Sequence, residues 1–150
     1  MGIPIILLPG IMGSRLYFEN SGLFWDPDDK WRMIRWLPIW PRSDDDNRVA
    51  LNAQQPGAVV EDQANVNADQ MARGWSGVAW DYFGPMLNAL DAAWGGSVYA
   101  IGYDWRQDMV ALADYVVEKI NGIMAQTGAA KVAVVAHSMG GLVLRAALRQ

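Results

Sequence analysis

Apolar residues along this chain alternate between short continuous runs and stripes at helical spacing. Residues 3–8, I-P-I-I-L-L, form an apolar run that stops at Pro9 and Gly10, the profile of a parallel strand buried on both faces. Trp80, Phe83, Met86, Leu87, Leu90 and Trp94 recur at helical spacing; with Pro85 near the start and Gly95-Gly96 at the end, they predict a helix over residues 85–94. Residues 97–101 predict a second strand, and residues 102–106 a loop at its carboxyl end. Met109, Leu112, Ala113, Val116, Val117, Ile120, Ile123 and Met124 then mark an amphipathic helix, capped by Asp108 and closed near Gly128. Residues 132–136 are a third strand, rich in valine, followed by a tight turn at His137, Ser138 and Met139 and a last helix after Gly140. Strand and helix alternating three times predict an α/β fold with a parallel sheet and right-handed crossovers.

Residues 15–73 show no sustained periodicity. Structureless loops beyond about 12–15 residues are uncommon, so this span is expected to be an insertion with small elements of its own, a lid or cap within one domain. Inside it, D-P-D-D at residues 26–29 predicts a helix start with Asp26 as N-cap and Pro27 at the first helical position, stopping before Pro38. Trp25, Trp31, Trp36 and Trp40 supply more aromatic surface than so short an element buries within itself. They either pack on the parent domain or present a lid or acyl-chain surface to a lipid interface. The run S-D-D-D-N-R at residues 43–48 reads as a solvated turn, with too few spaced oxygens for a calcium site.

Composition narrows the function classes. The sequence has 150 residues, 52% hydrophobic and 19% charged, which fits one globular domain. A net charge of -4 supplies no basic footprint for nucleic acid. With no cysteine, disulfides and thiolate chemistry are excluded. No cofactor and no metal are expected. The amino terminus lacks a basic n-region, and Pro4, Pro9 and Gly10 interrupt its apolar run, so no signal peptide is expected and the expectation is a cytoplasmic protein.

Candidate chemistry sits at the carboxyl ends of the predicted strands, the edge where α/β sheets place their sites. Ser138 occupies a strand-turn-helix junction, with Ala136 two residues before and Gly140 two after, an A-x-S-x-G motif one methyl group from G-x-S-x-G. Such a turn pushes the serine Oγ out at the top of the sheet; the alternative is an ordinary βα turn with an incidental serine. In P-G-I-M-G-S after the first strand, Gly10 and Gly13 permit backbone conformations that aim N–H groups into a cleft, though glycines also serve ordinary turns. Asp104 and Arg106 are placed to pair with each other or to clamp a neighbouring loop. His137, the only histidine, adjoins Ser138 in a strained turn, so the two side chains diverge and His137 is expected to pack rather than act as base.

P-G-I-M-G-S after a first strand, Y-D-W-R after a second and A-H-S-M-G-G after a third together resemble the lecithin:cholesterol acyltransferase-like branch of the α/β-hydrolase lipases and esterases. The resemblance implies a partial α/β-hydrolase fold with strand order 2-1-3. It implies Ser138 as nucleophile and the backbone N–H groups of Met12 and Met139 as the oxyanion hole. It implies an ester or lipid substrate, attacked through an acyl-enzyme whose acyl group passes to water or to another alcohol. In the hydrolase order the triad acid and histidine follow the nucleophile, where only residues 139–150 remain. The expectation is therefore an incomplete α/β-hydrolase domain, the amino-terminal part of a longer enzyme, inactive alone and prone to self-association through exposed sheet edges. The competing class is a non-catalytic lipid-binding or partner-binding module of the same half-fold.

Overall fold

Alternation along the first strand sets the layering. All of β1 (Ile5–Leu8) is buried, with Ile5 and Leu7 entering one core and Ile6 and Leu8 another. The computed structural model describes residues 2–19, 21–34, 36 and 56–149. After β1 come β2 (Leu16–Phe18), β3 (Leu23–Trp25), α1 (Lys30–Ile34) and β4 (Ala58–Val59). There follow α2 (Ala68–Ala72), a 3-10 turn (Trp75–Gly77), α3 (Trp80–Trp94), β5 (Val98–Ala100), α4 (Met109–Thr127), β6 (Ala133–Ala136) and α5 (Met139–Ala147).

β1 lies between β5 and β6 in a parallel sheet, the expected α/β arrangement and the implied order 2-1-3. On one face Ile5, Leu7 and Val98 pack with Trp75, Phe83 and Leu87; on the other, Ile6 and Leu8 pack with Leu112, Val116 and Val143. α4 has the predicted ends: Asp108 accepts the N–H groups of Val110 and Ala111 at 2.9 and 3.0 Å, and Gly128 closes the helix at φ 65°. β6 is an edge strand with Val135 exposed, and Leu142 and Leu148 of α5 are also exposed.

Two helix starts differ from the sequence pattern, for one reason. α3 begins at Trp80 rather than Pro85, although Ala79 at its N-cap offers no side-chain acceptor. The cap comes from far away: Asp28 accepts the N–H groups of Trp80 and Asp81 at 2.6 and 2.9 Å. α1 begins at Lys30, and Asp29, not Asp26, accepts the first free N–H groups, from Trp31 and Arg32. Asp26 is taken by a stronger partner.

That partner is Arg15. Its guanidinium meets Asp26 in two hydrogen bonds of 2.9 Å, Asp62 at 2.9 and 3.1 Å, and the Ser76 carbonyl at 2.9 Å, with Arg15 and Asp26 only 3% and 1% exposed. Arg32 adds a further bond to Asp26 at 2.8 Å. Burial alone would lower the Arg15 pKa, but the bonds from Asp26 and Asp62 outweigh it and raise it. Burial likewise opposes the Asp26 charge, yet Arg15 and then Arg32 hold its carboxyl below the usual range; Asp62 is held low chiefly by its bond to Arg15.

Around this cluster the described part of residues 15–73 forms a three-stranded antiparallel sheet, with β2 between β3 and β4. Of the two readings of the tryptophans, packing holds for Trp25 and Trp36. Trp25 packs edge-on against Trp36 and Trp105, and Trp36 against Phe18, so both are partly buried against this small core, Trp25 from the end of β3 and Trp36 from just beyond α1. Trp31 alone of the described three stands out, at 81% exposure. Trp40 and the acidic run at residues 43–48 lie outside the described residues.

Replacing Arg15 by Met is expected to cost about 3–5 kcal/mol at neutral pH, the penalty for breaking a buried ion cluster from one side. The folded carboxyls titrate below the unfolded value of about 3.9, so the cluster's contribution is complete above that pH and is lost as pH falls through the lowered folded values. Urea unfolding of both proteins at neutral and acid pH should show the gap between them narrowing in acid.

Candidate active site

Three loops leave the same edge of the parallel sheet, at the carboxyl ends of β1, β5 and β6, and they meet backbone to backbone. After β6, Ser138 adopts φ 52° and ψ -122°, a conformation that costs a non-glycine residue on the order of 1–3 kcal/mol. The turn is held from both sides. His137 donates its N–H to the Leu8 carbonyl at 2.9 Å, and the Gly140 N–H returns to the His137 carbonyl at 3.0 Å. Ser138 is exposed, and α5 starts at the next residue.

Two glycines permit this approach. A Cβ on Gly140 would stand 2.6 Å from the Pro9 carbonyl and 2.7 Å from that of Leu8. One on Gly10 would stand 2.9 Å from His137 Nδ1 and 3.0 Å from Ser138 Cβ. Ala136, which carries the extra methyl of the motif, is half-buried in register with Leu8 and packs into the core beneath. The sheet accommodates that methyl.

The loop after β1 is braced at several points. Met12 has φ 62°, and its carbonyl accepts the Trp25 indole N–H at 3.1 Å. Gly13 donates to the Gly10 carbonyl at 3.1 Å and accepts from Ala79 N–H at 2.9 Å. No described residue accepts the Met12 N–H, and the Met139 N–H, in the first turn of α5, has no partner within its helix.

Below the loop lies a contact the motif reading did not assign. Tyr103, 1% exposed, donates its hydroxyl to the Pro9 carbonyl at 2.6 Å, and its N–H goes to Ser14 Oγ at 2.9 Å. Burial pushes the phenol up to about 12, so it remains a donor across the ordinary pH range. The only sequence signal was the tyrosine of Y-D-W-R; its reach to Pro9 spans two strands and leaves no local trace.

Asp104 and Arg106 do both things expected of them. Arg106 forks onto Asp104 at 2.8 and 2.7 Å, while Asp104 also takes the Gly57 N–H at 2.8 Å and Gln107 at 3.0 Å. Burial opposes the Asp104 charge, but bonds from Arg106, Gly57 and Gln107 prevail and keep its carboxyl below the usual range. The pair thereby ties the β5 loop to the strand that precedes α2. The His137 ring lies tilted against Tyr82 and edge-on against Phe83, with centroids 5.6 and 5.8 Å apart. Among the described residues, no three His, Asp or Glu side chains gather in a way that would hold a metal ion.

The lecithin:cholesterol acyltransferase family model matches residues 86–150, which hold the β5 loop, α4, β6 and the serine turn. Over those residues the chain is similar to the lecithin:cholesterol acyltransferase family. Lecithin-cholesterol acyltransferase-like 4 of Arabidopsis thaliana is 26% identical over 162 residues, covering 95% of this chain and 29% of that protein. This chain therefore spans less than a third of the relative's length. A chain in the crystal structure of the Tle4-Tli4 complex matches with a TM-score of 0.66 and 22% identity, over 97% of this chain and 42% of that one. At that identity the likeness bears on the fold, which is of α/β-hydrolase type.

The two helical glycines of α5 give a paired check on the turn. Gly140→Ala should lower stability by about 1–3 kcal/mol, as overpacking against fixed carbonyls does. Gly141→Ala, with nothing within 4 Å of its Cβ, should raise it by up to about 1 kcal/mol through helix propensity. Thermal unfolding of the two variants should move the midpoint in opposite directions.

Proposed function

We propose that this chain carries the nucleophile side of a serine acyl-transfer site acting on carboxylic esters of lipid type. The observation that carries the reading is the Ser138 backbone conformation, held over the β1 loop by the close approaches at Gly10 and Gly140. In this reading Ser138 Oγ attacks the ester carbonyl, and the new Oγ–C bond forms as the carbonyl oxygen takes up negative charge. The Met12 and Met139 N–H groups receive that charge, each such donor being worth about 2.7–4 kcal/mol to the transition state. The alcohol then leaves with the serine proton, and the acyl-enzyme passes its acyl group to water or to a second alcohol.

His137 is turned toward Tyr82 and Phe83, so the proton acceptor in this reading comes from outside residues 1–150. The name of the Arabidopsis relative and the family model support transfer to an alcohol as well as hydrolysis. Both share the first half-reaction, and product analysis with and without an added alcohol separates them.

A serine-directed fluorophosphonate is expected to label the full-length protein at Ser138 and to leave Ser138→Ala unlabelled; labelling that persists in the variant overturns the assignment. Trp25→Phe, which removes the indole N–H from the Met12 carbonyl, is expected to slow labelling by about tenfold while leaving ground-state substrate binding nearly unchanged. Comparison of kcat and KM on one ester checks that split.

A further inference from the structure

A recess of about 300 Å³ opens beside the serine turn, walled by the loop of residues 10–13, Pro27, Ala79, Tyr82, Phe83 and His137. Its position links it to the proposed chemistry: Gly10 and His137 line it, and both adjoin Ser138. Its floor is fixed, since Phe83 and Ala79 are 3% and 4% exposed members of the core under β1. Its rim is the opposite, with Ile11, Met12 and Tyr82 standing 55%, 49% and 67% exposed. Large apolar side chains gathered outward around a concavity mark a place where an apolar group is received.

The lining also says what is refused. It contains no carboxylate to meet a cation, and His137 is the one lining side chain able to carry a positive charge, so an ammonium entering it would be desolvated without a counter-charge. The volume sits at the small end of ligand pockets and, at about 30 Å³ for each water-sized unit, accommodates about ten heavy atoms. Pro27 is part of its wall and is flanked by two anchored neighbours, Asp26 in the Arg15 cluster and Asp28 on the first N–H groups of α3.

We infer that this recess receives one neutral, apolar arm of the ester, of about ten heavy atoms, and that Tyr82 at its mouth and Ala79 in its floor set the size of the arm. The inference rests on the Ser138 reading and deepens it. The arm belongs either to the acyl group or to the alcohol, and the two have the same chemistry.

Two ester series on the full-length protein test this. In one, p-nitrophenyl esters run from butyrate to palmitate; in the other, acetates run from ethyl to dodecyl. Ala79→Leu, which fills the floor, is expected to lower kcat/KM for the longer members relative to the shorter by tenfold or more, in whichever series carries the arm. Tyr82→Ala, which opens the mouth, is expected to move the preferred length upward in that same series. Tyr82 is mostly exposed, so this variant keeps the test alive if Ala79→Leu does not fold. Unchanged length preference in both series, with Ser138 still labelled by fluorophosphonate, overturns the inference. Absence of Ser138-dependent labelling in the unaltered protein overturns the Ser138 reading itself.

Discussion

The buried Arg15 guanidinium is the point on which the excursion and the sheet depend together. It leaves the β1 loop, crosses to Asp26 and Asp62, and rests on the Ser76 carbonyl, so four segments far apart in sequence share one charge. A buried cation with only one partner would be costly, and the second carboxylate with a backbone oxygen completes its shell. Once Asp26 is fixed, its neighbours have little freedom. Residues 25–29 then act in succession: Trp25 on the Met12 carbonyl, Pro27 on the wall of the recess, Asp28 on the start of α3 and Asp29 on the start of α1.

Much of the architecture was legible because it is periodic and local. The doubly buried run at β1, the stripe of α4 with Asp108 and Gly128 at its ends, and the small residues around Ser138 each announce their structure within a few residues. What stayed hidden depends on contacts between distant residues. A local pattern starts α3 at Pro85 because nothing beside Trp80 can cap a helix; the cap is a carboxylate more than fifty positions away. Asp26 has the local credentials of an N-cap and loses that role to a buried arginine. The candidate site divides in the same way. Ser138, Gly10 and Gly140 were readable as a motif, whereas the braces from Tyr103 and Trp25 run between strands and were not.

Both strained residues of the site, Ser138 and Met12, have positive φ, and neither is a glycine. Each conformation is over-determined by its surroundings: Ser138 by the carbonyls of Leu8 and Pro9 packed against Gly140, and Met12 by the Trp25 indole. The tryptophan-rich excursion thus bears on the site through its interior. Of the described tryptophans in it, only Trp31 faces away from that interior.

Tyr103 gives the site a further property. Its phenol ionises only near pH 12, while Asp26, Asp62 and Asp104 lose their protons below the usual carboxylate range. The bracing groups therefore change charge only at the two ends of the pH scale. Between those ends these four groups keep one charge state, so a bell or a step in a rate profile near neutrality does not come from Tyr103, Asp26, Asp62 or Asp104.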